Sequence, residues 1–147
     1  MQKSDFKQTL LVTHLENTSF KVMQANNGAP RPQFLYRALG VDKATGGAYD
    51  AHVIRGAPGY KGGPIAEHKH TDINFLFVYV LKGWVTFGYV GHGEHTLKAG
   101  DCHVIPPGLS HTVAAWSEDV ELLELTSPGE YKTIDTVNGK ELAGATA

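Results

Sequence analysis

Apolar residues come in short runs divided by glycine-rich turns, and none follows the period of a long amphipathic helix. Segments 51–55, 94–98, 102–105, 111–116 and 120–125 are predicted strands, and 73–90 is predicted to hold two more, broken near Lys82-Gly83. Residues 56–64, Gly91-His92-Gly93, Ala99-Gly100-Asp101 and Ser127-Pro128-Gly129 are the turns between them. Residues 9–12 are a candidate edge strand, and 26–32 read as loop by composition. Many short strands at this spacing predict an all-β sandwich or barrel. The run 75–81, Phe-Leu-Phe-Val-Tyr-Val-Leu, is apolar at every position, so both of its faces need cover.

A length of 147 residues suits one domain. With 41% apolar residues, 17 glycines and 7 prolines, the composition is globular and turn-rich, not disordered. A formal net charge of −2 predicts no pull toward nucleic acid or anionic lipid. The lone cysteine, Cys102, excludes an internal disulfide and favours a reducing compartment. Residues 1–8 hold no apolar signal core, and no stretch is apolar and long enough to span a bilayer. The expectation is a cytoplasmic protein without nucleic-acid or membrane partners.

Chemistry concentrates in His68-Lys69-His70 and His111. On a strand, His68 and His70 share a face, about 6–7 Å apart along the backbone. They can therefore reach one ion at about 2.0–2.1 Å per nitrogen. His111 follows a short strand and the Pro106-Pro107-Gly108 turn, which can swing a third imidazole to the same point. Leu76, Val78 and Val80 share the parity of His70 and are expected to line the cavity beside it. Glu67 has the opposite parity and is expected to point away. His14, His52, His92 and His95 read as ordinary hydrogen-bonded or partly exposed histidines. Of Cys102 and His103, one is expected to face the cavity, and the thiol is expected to be buried and inert.

These residues resemble the two motifs of the cupin superfamily. Gly62, His68, His70 and Gly83 follow the first, and Gly100, Pro106, Gly108 and His111 follow the second. The likeness covers roughly 49–126. It implies a single-domain jelly-roll β-barrel over 36–130, with 1–35 as an N-terminal arm or edge strand and 131–147 as a C-terminal tail. It also implies one divalent transition metal ion (Fe, Ni, Mn, Zn or Cu) on His68, His70 and His111, and a homodimer. Two positions depart from the pattern. The first motif's glutamate is missing, since Asn74, Phe75 and Leu76 occupy the places where it would fall. Ala115 stands where asparagine is common. Asn74 is a candidate extra ligand through its side-chain carbonyl.

Three neutral imidazoles leave an ion its full double charge, which favours anionic, oxygen-chelating small molecules. The resemblance therefore implies a mononuclear metalloenzyme, dioxygenase-like in character. Alternatives are a non-catalytic metal or small-ligand binder and a metal-free isomerase or epimerase. The last requires several charged groups inside the cavity, and the apolar 75–81 run argues against it.

Overall fold

Strands form where alternating or apolar runs meet glycine turns, and the pairing partners come from far along the chain. The computed structural model describes residues 7–24 and 30–142. Its strands are β1 (Lys21–Gln24), β2 (Pro30–Ala38), β3 (Asp50–Gly56), β4 (Ile65–Lys69), β5 (Phe75–Lys82) and β6 (Trp84–Tyr89). They continue with β7 (Gly93–Lys98), β8 (Cys102–Val104), β9 (His111–Trp116), β10 (Glu121–Ser127), β11 (Ile134–Val137) and β12 (Lys140–Glu141). Helical structure among the described residues is confined to one short turn of α-helix, α1 (Val41–Ala44), and a 3-10 turn at Leu15–Asn17. No helix there is long and apolar enough to cross a membrane.

Two six-stranded antiparallel sheets result, ordered β1-β2-β3-β10-β5-β8 and β12-β11-β4-β9-β6-β7. This is the expected all-β jelly roll, with the two sheets hydrogen-bonded separately as a sandwich rather than as one closed barrel. The expected edge strand at 9–12 does not form. Its backbone is tied instead by the Thr9 N–H donating to Ala44 O. The part of the 26–32 loop at 26–29 lies outside the described residues, and β2 begins at Pro30.

The core sits between the sheets. Leu76, Val78 and Val80 of β5 face it, together with Phe34, Ile54, Val85, Phe87, Ile105 and Leu122. Period-two alternation thus splits the apolar run of β5 into an inner and an outer row. The outer row stays open in the single chain, with Phe75 39%, Tyr79 38% and Leu81 46% exposed. Cys102, on β8 at the margin of the same sheet, is exposed rather than buried. It pairs with Tyr79 and so shares the open outer row.

Gly83, which divides β5 from β6, has φ +69°, a conformation that costs a residue with a Cβ. A Cβ there would press into Ser117 Oγ and lie 2.6 Å from Asp119 Oδ1. Gly83→Ala is therefore expected to destabilise the fold by about 1–3 kcal/mol. A shift of the urea midpoint measures it, and an unchanged midpoint would refute this account of the turn.

Candidate metal centre and cavity

The two ends of the site meet on neighbouring strands. β4 pairs with β9, placing His68 directly opposite His111. The ladder shifts between Ile65 and His68, so an irregularity in β4 brings both side chains to the cavity although they are three residues apart. His70 follows β4. Its carbonyl accepts the Gly108 N–H at 2.7 Å, which ties the Pro-Gly turn before β9 to the end of β4.

Each imidazole is held by a backbone carbonyl. His68 Nδ1 lies 2.8 Å from Ala66 O, His70 Nδ1 2.9 Å from Lys132 O, and His111 Nδ1 3.0 Å from Leu109 O. A carbonyl only accepts, so each Nδ1 carries the proton and each Nε2 keeps its lone pair free. All three side chains are buried, and the ring nitrogens they offer lie within 4.8 Å of one another. Burial lowers His68 to about 3, helped by repulsion from His111. It lowers His111 to about 4, with His70 adding to the effect, and it also lowers His70. The rings are therefore neutral at pH 7, the state a metal requires. The carbonyl partners fix their orientation in the way seen at metal-bound histidines. This donor set fits a divalent transition ion.

A cavity of about 290 Å³ opens around these rings, near the lower end of small-molecule sites. Leu76 and Val78 line it, whereas Val80, of the same parity, packs in the core beyond it. Asn74 does not line it. Its side chain is exposed, and its N–H donates to Ser127 O at the start of the β5–β10 pairing. Glu67 also lies outside the cavity wall, accepting hydrogen bonds from Thr136 and the Gly139 N–H.

The cavity also holds groups that sequence reasoning missed. Glu124 on β10 sits opposite His52 on β3, and His52 Nε2 lies 2.9 Å from Glu124 Oε1. Burial disfavours charge on both groups. The mutual hydrogen bond and charge outweigh it, raising His52 and lowering Glu124. The charged pair is thus the state held at neutral pH. Each side chain is only 16% exposed. Inward parity carried the signal: Leu122 and Thr126 flank Glu124 on the buried face, so a carboxylate between them stands on the cavity side.

His103 faces the cavity and Cys102 does not. Burial lowers His103 to about 4 and raises Tyr89 to about 12. The Tyr89 hydroxyl lies 2.7 Å from His103 Nδ1, while His103 Nε2 is buried without a partner among the described residues. His103 stays outside the three-histidine cluster. Tyr131 packs edge-on against His70, with ring centres 4.8 Å apart, and burial raises its phenol well above the ordinary value. Arg31 on β2 also lines the cavity.

A jelly roll with neutral imidazoles converging inside it defines the class of protein. The Cupin_2 family model (Cupin domain) matches residues 54–126, and the chain belongs to the cupin superfamily. No curated protein matches it by sequence. Among solved structures it is similar to KdgF from Halomonas sp., at 18% identity and TM-score 0.61, over 79% of this chain and 93% of that one. It is also similar to the polyketide cyclase RemF from Streptomyces resistomycificus, at 16% identity and TM-score 0.64, over 88% and 87%. A third likeness is to the Bacillus subtilis oxalate decarboxylase with its Mn(II) centers, at 16% identity and TM-score 0.55. It spans 85% of this chain and 32% of that one. At these identities the likeness concerns the fold.

Proposed function

We propose that this cupin is a mononuclear metalloenzyme acting on a small organic molecule that chelates through oxygen. The observation that carries the reading is the set of three imidazoles, each with Nδ1 on a backbone carbonyl and Nε2 free. His68, His70 and His111 would hold the ion. Bound there, a divalent transition metal supplies Lewis-acid polarisation of a substrate oxygen pair and, if redox-active, the dioxygenase-like chemistry expected from the sequence. The apolar wall from Leu76 and Val78 keeps water from that pair, and Tyr131 holds the His70 ring in place. Enzymes among the fold neighbours support catalysis by analogy of fold.

The test is elemental analysis of the purified protein and of His70→Ala. Near-stoichiometric metal that is lost in the variant supports the reading, and absence of metal from both overturns it. Oxygen uptake by the iron-loaded protein with diketones, hydroxy acids and catechols tests the dioxygenase character. No uptake with any of them rejects it.

One observation favours a second reading, acid–base chemistry of the isomerase or cyclase kind. The charged groups that such chemistry requires, Arg31, Asp50, His52 and Glu124, line this cavity despite the apolar run of β5. A homodimer and a cytoplasmic location remain part of the proposal. The open outer row of β5 supports the first, and sedimentation velocity tests it.

A further inference from the structure

We propose that Glu124, held by His52, is the proton-transferring group of this cavity, and that Arg31 receives a carboxylate of the substrate. The substrate class is then a small 2-oxo carboxylate with hydrogen on the carbon next to its carbonyl. This deepens the metalloenzyme reading and rests on it.

Glu124 is a carboxylate in the same cavity as the three imidazoles, yet it lies outside their cluster. It therefore does not simply replace the motif glutamate as a ligand. His52 occupies Oε1, and Oε2 has no partner among the described residues. Glu124 lines the cavity, and Oε2 is its unanchored oxygen. A carboxylate with one oxygen anchored and the other free is the arrangement of a general base. The anchor carries a charge of its own, so the ionised base does not stand uncompensated in an apolar wall.

Arg31 supplies the other half. It lines the cavity and forms no ion pair with a carboxylate among the described residues. Its positive charge reaches His68, His70, His111 and Tyr131. A guanidinium without an ion-pair partner among the described residues, next to neutral donors, selects an anion, and its planar fork suits a carboxylate. A carboxylate next to an oxo group presents two oxygens close together, as the proposed chelation requires.

In the step itself, Glu124 Oε2 takes a proton from C3 of the 2-oxo acid. The C–H electron pair becomes the C2–C3 double bond, and the carbonyl π pair moves onto the C2 oxygen as an enolate. The reverse step returns a proton that has exchanged with solvent. Nothing is oxidised or reduced, and no co-reactant is needed.

The probe is 2-oxobutyrate with the full-length, metal-loaded protein in D₂O, with exchange at C3 followed by proton NMR. The wild type is expected to exchange C3 well above the buffer rate. Glu124→Gln should lower that rate by about 100-fold or more with metal content and the 2-oxobutyrate Kd unchanged. Arg31→Gln should raise the Kd by about tenfold or more, in metal-free protein as well. Glu124→Asp, which keeps the charge and moves the oxygen, should recover part of the rate and covers the case in which the glutamine variant does not fold. Wild-type exchange no faster than buffer, or equal exchange in both Glu124 variants and the wild type, overturns the role of Glu124. An unchanged Kd in Arg31→Gln overturns the role of Arg31. Metal absent from the wild type defeats the metalloenzyme reading instead, and titration of the metal-free protein still reads the Arg31 contact.

Discussion

His111→Ala is expected to abolish stoichiometric metal binding, with an affinity loss larger than the 10–100-fold that typically follows removal of a ligand's hydrogen-bond partner. Three protein donors are all that converge here among the described residues, so losing one leaves a two-coordinate remnant. His111 also stands directly across the ladder from His68, and its position sets the spacing of the pair. Asn74→Ala is the matching control. Its exposed side chain points away from the cavity, so metal content should be unchanged. Elemental analysis and competition with a chromogenic chelator measure both. Full occupancy in His111→Ala, or loss of metal in Asn74→Ala, would show that the ion is held elsewhere.

Acidification from pH 7 to pH 5 is expected to cost the metal-free protein stability on the scale of its whole folding free energy. Burial holds His68 at about 3, and His103 and His111 at about 4, against 6.5 for an ordinary histidine. The sign follows from proton counting. Between those folded values and 6.5 the unfolded chain binds protons that the folded chain refuses, so stability falls as pH falls. Each such histidine contributes about 2 kcal/mol of loss across this interval. Three of them together approach roughly 6 kcal/mol, against a typical total of about 5–15 kcal/mol. His52 acts in the opposite sense. Its folded value is raised by Glu124, so its contribution is full below 6.5 and is lost as pH rises through the raised value. Glu124, lowered, contributes above the ordinary carboxylate range and loses that contribution only in stronger acid. Urea denaturation of the metal-free protein at pH 7, 6 and 5 gives the slope. A midpoint that holds steady or rises on acidification would mean that the imidazoles are solvated and not closed in the sandwich.

Strands bounded by glycine were legible because alternation and a turn residue state the same thing twice. β3, β5, β6, β7, β8, β9 and β10 all fall on predicted segments. β1, β2, β11 and β12 carry little pattern of their own. β2 begins Pro30-Arg31-Pro32, which reads as loop, and it becomes strand because it pairs with β1 and β3. The three histidines were visible because motif spacing is local. Glu124 and His52 had a weaker signal, polar residues at inward positions of apolar strands, and it went unread. Arg31, Tyr131 and the Lys132 carbonyl had none, since only the folding of both ends of the chain against the sheets brings them to the cavity. For Cys102, the expectation of burial failed because β8 pairs it with Tyr79 on the open outer row, a matter of strand register.

By itself the sequence determined the strand-and-turn rhythm, the fold class and, through the two motifs, which imidazoles are candidates for one site, because periodicity, glycine turns and motif spacings act over a few residues. The tertiary structure alone decided which strands lie side by side, which ring nitrogens are tied down, and that a carboxylate, its histidine partner and a guanidinium share the cavity. Those outcomes depend on contacts between residues tens of positions apart, made only when two sheets stack and exclude water from the groups between them.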